Sequence, residues 1–314
     1  MGQLASTREA FGKALVELGY RNPNLVVLDA DLAKSTQTER FGREFPERFF
    51  DCGVAEQNMM SIGAGLAASG KTVFAATFAV FASGRAFDQV RLCIAQPGLN
   101  VKIVGTHGGI SVGEDGVSHH AIEDISLMSS LPGMTVIVPA DAVEARAAVF
   151  AAAAQPGPFY IRLNRANTEV IYTNGLDFRV GRASELRAGT DSTIIACGVM
   201  VARALKAAES LAAEGIGCRV LDMATVKPLD REAVLRAAEE TGAIVTAEEA
   251  LLQGGLGAAV ASLLAEAHPT PMRMIAIRDV YNRSGRPDEL LELNGLTAPE
   301  IARAVRATLA RKKG

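Results

Sequence analysis

The chain has 314 residues, of which 49% are apolar and 21% are charged, and its formal net charge is −3. This length exceeds one compact core of ordinary size, so the sequence predicts two domains. The weak net charge gives no electrostatic reason to expect a nucleic acid or an anionic membrane as a partner.

The first part of the chain alternates short apolar runs with helical patterns. Strands are predicted at residues 25–28, 71–75, 101–104 and 134–138, and helices at 6–18, 55–68, 81–94 and 142–153. Near-continuous apolar strands separated by helices predict a parallel sheet that is covered on both faces.

A polar stretch at residues 169–190, which contains Asn174-Gly175, interrupts this periodicity and is predicted to be a linker. The alternation then restarts, with strands predicted at 192–196, 218–221, 243–246 and 274–277 and a helix at 202–213. The predicted fold class is therefore α/β with two domains, each a mainly parallel sheet flanked by helices. The predicted boundaries are 1–168 for the first domain and 191–314 for the second.

The cysteines and the N-terminus indicate where the protein works. The four cysteines (Cys52, Cys93, Cys197 and Cys218) have no CxxC spacing, which predicts neither a disulfide framework nor a zinc site. We expect no signal peptide, because the N-terminus has no charged region followed by an apolar core. Glu144 and Arg146 interrupt the alanine-rich run at 142–154, which argues against a membrane span. We expect a cytoplasmic protein in a reducing compartment.

One polar loop stands out as a candidate for chemistry. It runs Gly113-Glu114-Asp115-Gly116-Val117-Ser118-His119-His120, and three of the four histidines (His107, His119 and His120) lie close together in this part of the chain. Loops that concentrate titratable side chains at a strand end usually serve binding or catalysis.

A second candidate combines a carboxylate with two aromatic rings. Glu56 lies at the start of a predicted helix, where a carboxylate is often only a partner for the helix dipole. Phe78 and Phe81 are spaced to share one helical face, which is usual for core residues and would also suit an apolar slot for a flat heteroaromatic ring. A carboxyl group beside such a slot could hydrogen-bond a ring nitrogen.

The order of several short motifs resembles a known family. GVAEQNM, ATFAVF with Asp88-Gln89-Val90, THGGISVGEDGVSHH and Tyr160-Ile161-Arg162-Leu163-Asn164-Arg165 together resemble the pyrimidine-binding domain of transketolase. The second unit, with VKPLD at 226–230, GGLG at 254–257 and GLT at 295–297, resembles the C-terminal domain of that family. Each motif is weak by itself, but the ordered set covers nearly the whole chain.

One part of the family pattern is missing. The family's separate diphosphate-binding domain carries Gly-Asp-Gly followed by Asn, and this sequence has no Gly-Asp-Gly. The chain therefore resembles the C-terminal subunit of a split, two-chain transketolase. This resemblance implies thiamine diphosphate as cofactor, Mg²⁺ or Ca²⁺ bound by an N-terminal partner chain with no metal ligand here, and an α2β2 heterotetramer.

The resemblance also implies a role for each site residue. Glu56 would be catalytic by hydrogen-bonding the aminopyrimidine ring, Phe78 and Phe81 would pack against that ring, and His119 would lie near the reacting carbonyl. The remaining matches are Asp31 beside the cofactor, Asp115 on a sugar hydroxyl, and His107, Arg8, Ser35 and Arg165 near the substrate phosphate. Two positions depart from the family: His120 replaces a more usual Gln, and Ala82-Ser83-Gly84-Arg85 occupies a segment where many transketolases carry an aromatic residue.

Four functions remain open. The first is transfer of a two-carbon ketol unit from a ketose phosphate to an aldose phosphate, as part of the pentose phosphate pathway. The others are a subunit related to 1-deoxyxylulose-5-phosphate synthase, the beta subunit of a 2-oxo acid dehydrogenase, and a noncatalytic assembly subunit. The Gly-Glu-Asp-Gly loop and the arginines suited to phosphate favour the first over the 2-oxo acid dehydrogenase.

Overall fold

The structure is a computed structural model that describes residues 3–173 and 175–312. Met1, Gly2, Lys313 and Gly314, which the expected domain limits include, lie outside the described residues, as does Asn174 of the expected linker. Among the described residues, no helix combines the length and the apolar character needed to cross a membrane.

The strands and helices alternate along most of the chain. In chain order the strands are β1 Leu4–Ala5, β2 Leu25–Asp29, β3 Phe49–Asp51, β4 Thr72–Phe78, β5 Val101–Thr106, β6 Thr135–Ile137, β7 Phe159–Arg162, β8 Thr168–Glu169, β9 Ser184–Arg187, β10 Ser192–Ala196, β11 Cys218–Asp222, β12 Thr225–Lys227, β13 Ile244–Leu251 and β14 Met272–Ile277. The helices are α1 Thr7–Arg21, α2 Ala33–Thr36, α3 Glu39–Glu44, α4 Glu56–Ala68, α5 Phe87–Gln89, α6 Asp124–Ser129, α7 Ala142–Ala154, α8 Met200–Ala212, α9 Arg231–Thr241, α10 Leu256–Ala267, α11 Pro287–Leu293 and α12 Ala298–Lys312.

Two mainly parallel sheets organise these elements, which confirms the α/β prediction. Within the described residues, the first sheet has the order β12-β6-β7-β5-β4-β2-β3 and the second β14-β13-β10-β11-β9. Within these two sheets, only the edge strands β12 and β9 run antiparallel to their neighbours, and β1 and β8 form a separate antiparallel pair. Separate apolar clusters cover the two faces of the first sheet, as expected when helices pack on both sides.

Two edge strands do not follow the predicted domain boundaries. β12 comes from the second part of the chain yet pairs with β6 of the first sheet. β9 lies inside the segment expected to be a linker and pairs with β11 of the second sheet. Its sequence, Ser-Glu-Leu-Arg, is partly exposed and has no apolar run, so periodicity gave no signal for it.

The segment after β4 also differs from the expected single helix at 81–94. It consists of a π-helical turn at Phe81–Arg85, the short α5, and a second π-helical turn at Val90–Ala95. The expectation that Phe78 and Phe81 share one helical face is therefore wrong. Phe78 is the last residue of β4, and Phe81 opens the π-turn.

A buried arginine joins the two sheets. Arg162, at the end of β7, donates hydrogen bonds of 2.9 Å from one guanidinium nitrogen to the carbonyls of Ala121 and Glu249, the latter on β13. Its Nε lies 3.0 Å from the carboxylate of Asp124. Arg162 is only 2% exposed, so protein groups from both parts of the chain take the place of water around this cation.

Candidate active site

The candidate residues cluster where the parallel strands of the first sheet end. Phe78 ends β4, His107 follows β5, and Arg165 lies three residues after β7. β4, β5 and β7 are neighbours in the sheet, so their carboxyl ends meet at one edge. Ligands of open α/β sheets bind beyond this edge.

Glu56 is a buried carboxylate at the first residue of α4. It is 2% exposed, and its Oε1 accepts a hydrogen bond of 2.8 Å from the guanidinium of Arg85. Its other oxygen, Oε2, is buried and has no hydrogen-bond partner among the described residues. A buried carboxylate oxygen without a partner is costly, so this atom marks a place where a donor is expected to bind.

Phe78, Phe81 and two histidines form a compact cluster of rings. The two phenylalanine rings are stacked, with centroids 5.8 Å apart and an interplanar angle of 14°. His107 stacks on Phe78 at 3.8 Å, and His119 meets both phenylalanines edge-on at 6.0 and 5.5 Å. We call the surface formed by Phe78, Phe81 and the Glu56 carboxyl group the aromatic slot.

Arg85 is a residue of this site whose role sequence reasoning missed. Its guanidinium lies 4.2 Å from the centroid of Phe81 and also pairs with Glu56. The sequence showed only that the segment departs from the family pattern. The direction of Arg85 depends on the π-turn, which periodicity does not reveal.

His107 is held neutral by its surroundings. Burial, together with the positive charges of Arg8 and Arg165, lowers the pKa of its imidazole to about 3. Nδ1 lies 2.9 Å from the hydroxyl oxygen of Thr106. A neutral imidazole with one ring nitrogen engaged can offer its other nitrogen to a ligand.

The two glycines after His107 permit close packing against Arg162 of β7 and Glu249 of β13. A Cβ at Gly108 would lie 2.3 Å from Nε of the buried Arg162. Gly109 has a φ of +82°, and a Cβ there would lie 2.2 Å from the carboxyl carbon of Glu249. Side chains at these positions would force the loop away from the strands that position His107.

The polar loop presents Asp115 and His119 and buries His120. Asp115 is exposed and lies 3.7 Å from the guanidinium of Arg165. His119 is half-buried, with Nδ1 3.0 Å from the hydroxyl oxygen of Ser118. His120 is buried, its Nε2 lies 3.4 Å from the carbonyl oxygen of Gly113, and burial lowers its pKa. His120 therefore braces the loop from inside.

Arg8, Ser35 and Arg165, distant in sequence, meet on one side of the ring cluster. The Arg8 guanidinium donates to the carbonyl of Ser35 at 2.6 Å and to the carbonyl of Arg165 at 2.8 Å. Arg165 donates to the carbonyl of Val112 and, at 3.3 Å, to the carboxylate of Glu114. The structure thus brings all three together, although Ser35 contributes its backbone carbonyl to these contacts.

Asp31 follows the carboxyl end of β2 and is exposed. Its backbone has a φ of +62°, and its N–H donates to the carboxylate of Asp51 at 2.9 Å. The contact thus links Asp31 to the end of β3, and the ring cluster lies at the end of β4. The predicted role of Asp31 beside a cofactor stays a prediction.

Comparison with known proteins identifies the family. The transketolase pyrimidine-binding domain matches residues 3–170, and the transketolase C-terminal domain matches residues 181–301. A putative transketolase C-terminal section from Methanocaldococcus jannaschii is 47% identical over 97% of this chain and 96% of its own length. A 6-deoxy-6-sulfo-D-fructose transketolase subunit from Clostridium sp. is 48% identical over 97% and 95%.

The structural comparison agrees. A solved structure described as a split gene transketolase, inactive beta4 tetramer, superposes with a TM-score of 0.92 at 52% identity, covering 98% of this chain and 99% of that one. The chain belongs to the transketolase family. Within that family it corresponds to the C-terminal section of a split transketolase. Human transketolase is 42% identical over 98% of this chain, which spans 50% of that protein.

Proposed function

We propose that this chain is the C-terminal subunit of a thiamine-diphosphate-dependent transketolase. It would transfer a two-carbon ketol unit from a ketose phosphate to an aldose phosphate. The observation that carries the proposal is the aromatic slot. The buried Oε2 of Glu56 has no partner among the described residues, and Arg85, which pairs with the same carboxyl group, lies over one of the two stacked phenylalanines.

The slot suits the aminopyrimidine ring of the cofactor. The flat heterocycle would pack against Phe78 and Phe81, and Glu56 would share a proton with a ring nitrogen through Oε2. When bound, thiamine diphosphate supplies a carbon nucleophile and an electron sink for cleavage of a carbon–carbon bond next to a carbonyl. The chain's contribution is to bind and orient this cofactor and to hold one proton at the ring nitrogen.

The histidines and Asp115 would act on the substrate. His119 lies edge-on to both phenylalanines, and this position suits a donor to the reacting carbonyl oxygen. Asp115, exposed at the rim, is suited to accept from a sugar hydroxyl. His107, neutral because of burial and nearby positive charge, would donate a hydrogen bond without adding charge.

The arginine pair, Arg8 and Arg165, would bind the anionic end of the sugar. Guanidinium groups present a planar fork of donors that matches tetrahedral oxyanions. A sulfonate and a phosphate share this chemistry, and one relative, 48% identical, is described as acting on a sulfonated sugar. A sulfosugar donor is therefore the second candidate substrate.

A partner chain would supply the remainder of the site. Two relatives are described as a C-terminal section and a subunit, and a solved relative made of beta chains alone is described as inactive. We infer an N-terminal partner that binds the diphosphate and its Mg²⁺ or Ca²⁺, in an α2β2 heterotetramer. Active sites between unlike chains would then make the enzyme an obligate heteromer.

The test is a ketol transfer assay on this chain mixed with its diphosphate-binding partner. Xylulose 5-phosphate and 6-deoxy-6-sulfofructose are compared as donors with ribose 5-phosphate as acceptor, and pyruvate decarboxylation is assayed in parallel. We expect ketol transfer only when both chains are present. Pyruvate decarboxylation without ketol transfer would favour the dehydrogenase or synthase alternatives. Partner activity that is unchanged by this chain would indicate a noncatalytic assembly subunit.

A further inference from the structure

Arg85 makes both kinds of contact that the proposed function gives to the aminopyrimidine. Its guanidinium lies over the ring of Phe81, 4.2 Å from the centroid. It also donates a hydrogen bond of 2.8 Å to Oε1 of Glu56. Arg85, a side chain of this subunit, thus both stacks on Phe81 and bonds to the carboxyl group of Glu56.

The chemistry of arginine suits this position. The guanidinium is planar, carries several N–H donors in its plane, and stacks on aromatic faces. The guanidinium is therefore a small, flat group that can both stack on an aromatic ring and donate a hydrogen bond to a carboxylate, as the aminopyrimidine would. A heterocycle that stacks on Phe81 while it bonds the free Oε2 of Glu56 has to take over the place of the guanidinium on the Phe81 ring.

The π-turn holds Arg85 in place without burying it. Ala82 and Ser83 inside the turn are buried, and the hydroxyl of Ser83 donates to the carbonyl of Ala79 at 2.7 Å. The Arg85 side chain itself is 46% exposed, and the neighbouring Gly84 faces open space. The turn can therefore stay packed while Arg85 moves into solvent. π-turns of this kind occur frequently at functional sites.

We propose that Arg85 determines the affinity of the aromatic slot for the cofactor's pyrimidine by competing with it. The guanidinium occupies Phe81 and Oε1 of Glu56 in the free slot and swings outward when the ring binds. This inference rests on the proposed function, because it assigns the slot to an aminopyrimidine. It adds that the ring, which would bond to the free Oε2 of Glu56, must first displace the guanidinium from the face of Phe81.

The test is calorimetric titration of thiamine diphosphate into the complex of this chain with its diphosphate-binding partner. The variants are Arg85→Ala, Arg85→Lys and, as a matched control, Arg91→Ala. Arg91 is a half-exposed arginine of the neighbouring π-turn that pairs with Asp88 and does not contact the slot. Glu56→Gln is titrated in the same series.

Arg85→Ala should tighten binding about two- to five-fold, the size expected for removing a half-exposed charged contact. Arg85→Lys should tighten it less, because the ammonium keeps the charge but not the flat face. Arg91→Ala should match the wild type. Unchanged or weaker binding by Arg85→Ala overturns the competition.

The Glu56→Gln result separates the two proposals. Weaker binding by Glu56→Gln with no effect of Arg85→Ala rejects the competition and keeps the proposed function. Absence of cofactor binding by every variant, wild type included, rejects both. Because the readout is heat of binding, neither result depends on turnover.

Discussion

The Glu56 carboxyl group is the residue on which the proposed chemistry depends most. Its two oxygens have different environments, since Oε1 is paired with Arg85 and the buried Oε2 has no partner in the described part of the chain. This asymmetry leaves one oxygen for a ligand. At the scale of single residues, the proposed function thus depends on one atom that has no hydrogen-bond partner among the described residues.

Replacing Glu56 with Gln should lower turnover of the complex about 100-fold or more, because the amide keeps the size of the side chain but cannot share a proton as an acid does. The measurement is ketol transfer at saturating cofactor, with the unfolding transition recorded for each protein. Glu47→Gln, an exposed carboxylate changed in the same way, is the control. Near-normal turnover by Glu56→Gln would remove this assignment.

Replacing Arg165 with Ala should raise KM for a phosphorylated donor at least several-fold while kcat changes little. The reason is that a contact to the non-reacting end of a substrate contributes equally to ground and transition states. Steady-state kinetics with a phosphorylated ketose and with its unphosphorylated analogue measure the effect. An equal loss for both donors would show that Arg165 supports the Val112–Asp115 loop and does not bind the anion.

At the scale of elements, buried charge fixes how the two sheets meet. Arg162 on β7 reaches the carbonyl of Glu249 on β13, and Glu249 accepts from the backbone N–H of Ser111 at 2.6 Å. These contacts fasten the loop after β5 to the second sheet. The C-terminal part of the chain therefore helps to position the loop that carries His107, Asp115 and His119.

Arg162→Met should destabilise the chain by about 3–5 kcal/mol, because it leaves the buried carboxylate of Asp124 without its cation and the carbonyls of Ala121 and Glu249 without their donor. Urea denaturation gives the free energy of unfolding. Arg43→Met, at an exposed ion pair on α3, should change it by less than about 0.5 kcal/mol. A similarly small change for Arg162→Met would mean that the network does not hold the sheets together.

A second set of buried polar side chains links three parts of the chain: Glu144 on α7, Asp222 on β11, and Tyr172 between β8 and β9. The Tyr172 hydroxyl donates to Asp222 at 2.9 Å, and burial raises the pKa of both Asp222 and Glu144. The folded chain therefore retains a proton that the unfolded chain loses above a pH of about 4. The contribution of Asp222 to the free energy of unfolding therefore falls as the pH rises from about 4 through the raised pKa of this carboxyl group, about 7.

Asp222→Asn should remove much of that pH dependence, because an amide supplies the donor permanently and cannot ionise. The free energy of unfolding of the variant, minus that of the wild type, should therefore be about 1–3 kcal/mol larger at pH 8 than at pH 5. Urea denaturation at both pH values measures this gain. If the free energy of unfolding changed with pH by the same amount in both proteins, Asp222 would be ionised in the folded state.

The sequence predicted the two parallel sheets well because buried strands read as apolar runs bounded by turns. It did not reveal β9, whose residues are polar, or β12, which pairs across the expected domain boundary. Phe78 and Phe81 were paired correctly but placed wrongly on one helix. Arg85 was missed because its direction depends on a π-turn, and π-turns leave no periodic signal.

At the scale of the whole molecule, the family assignment and the split architecture follow from relatives that the chain spans almost completely. The central proposal is that this chain binds only the aminopyrimidine half of the cofactor and that the partner binds the diphosphate half. We propose that the slot binds the heterocycle. Among the described residues, no group of three or more His, Cys, Asp and Glu side chains could hold a metal ion. The cytoplasmic location stays a prediction.

The most direct test of this proposal is titration of thiamine diphosphate and Mg²⁺ into the chain alone and into its mixture with the N-terminal partner. We expect weak, Mg²⁺-independent binding by the chain alone and tight, Mg²⁺-dependent binding by the mixture, accompanied by ketol transfer. Tight, Mg²⁺-dependent binding by the chain without any partner would contradict the account.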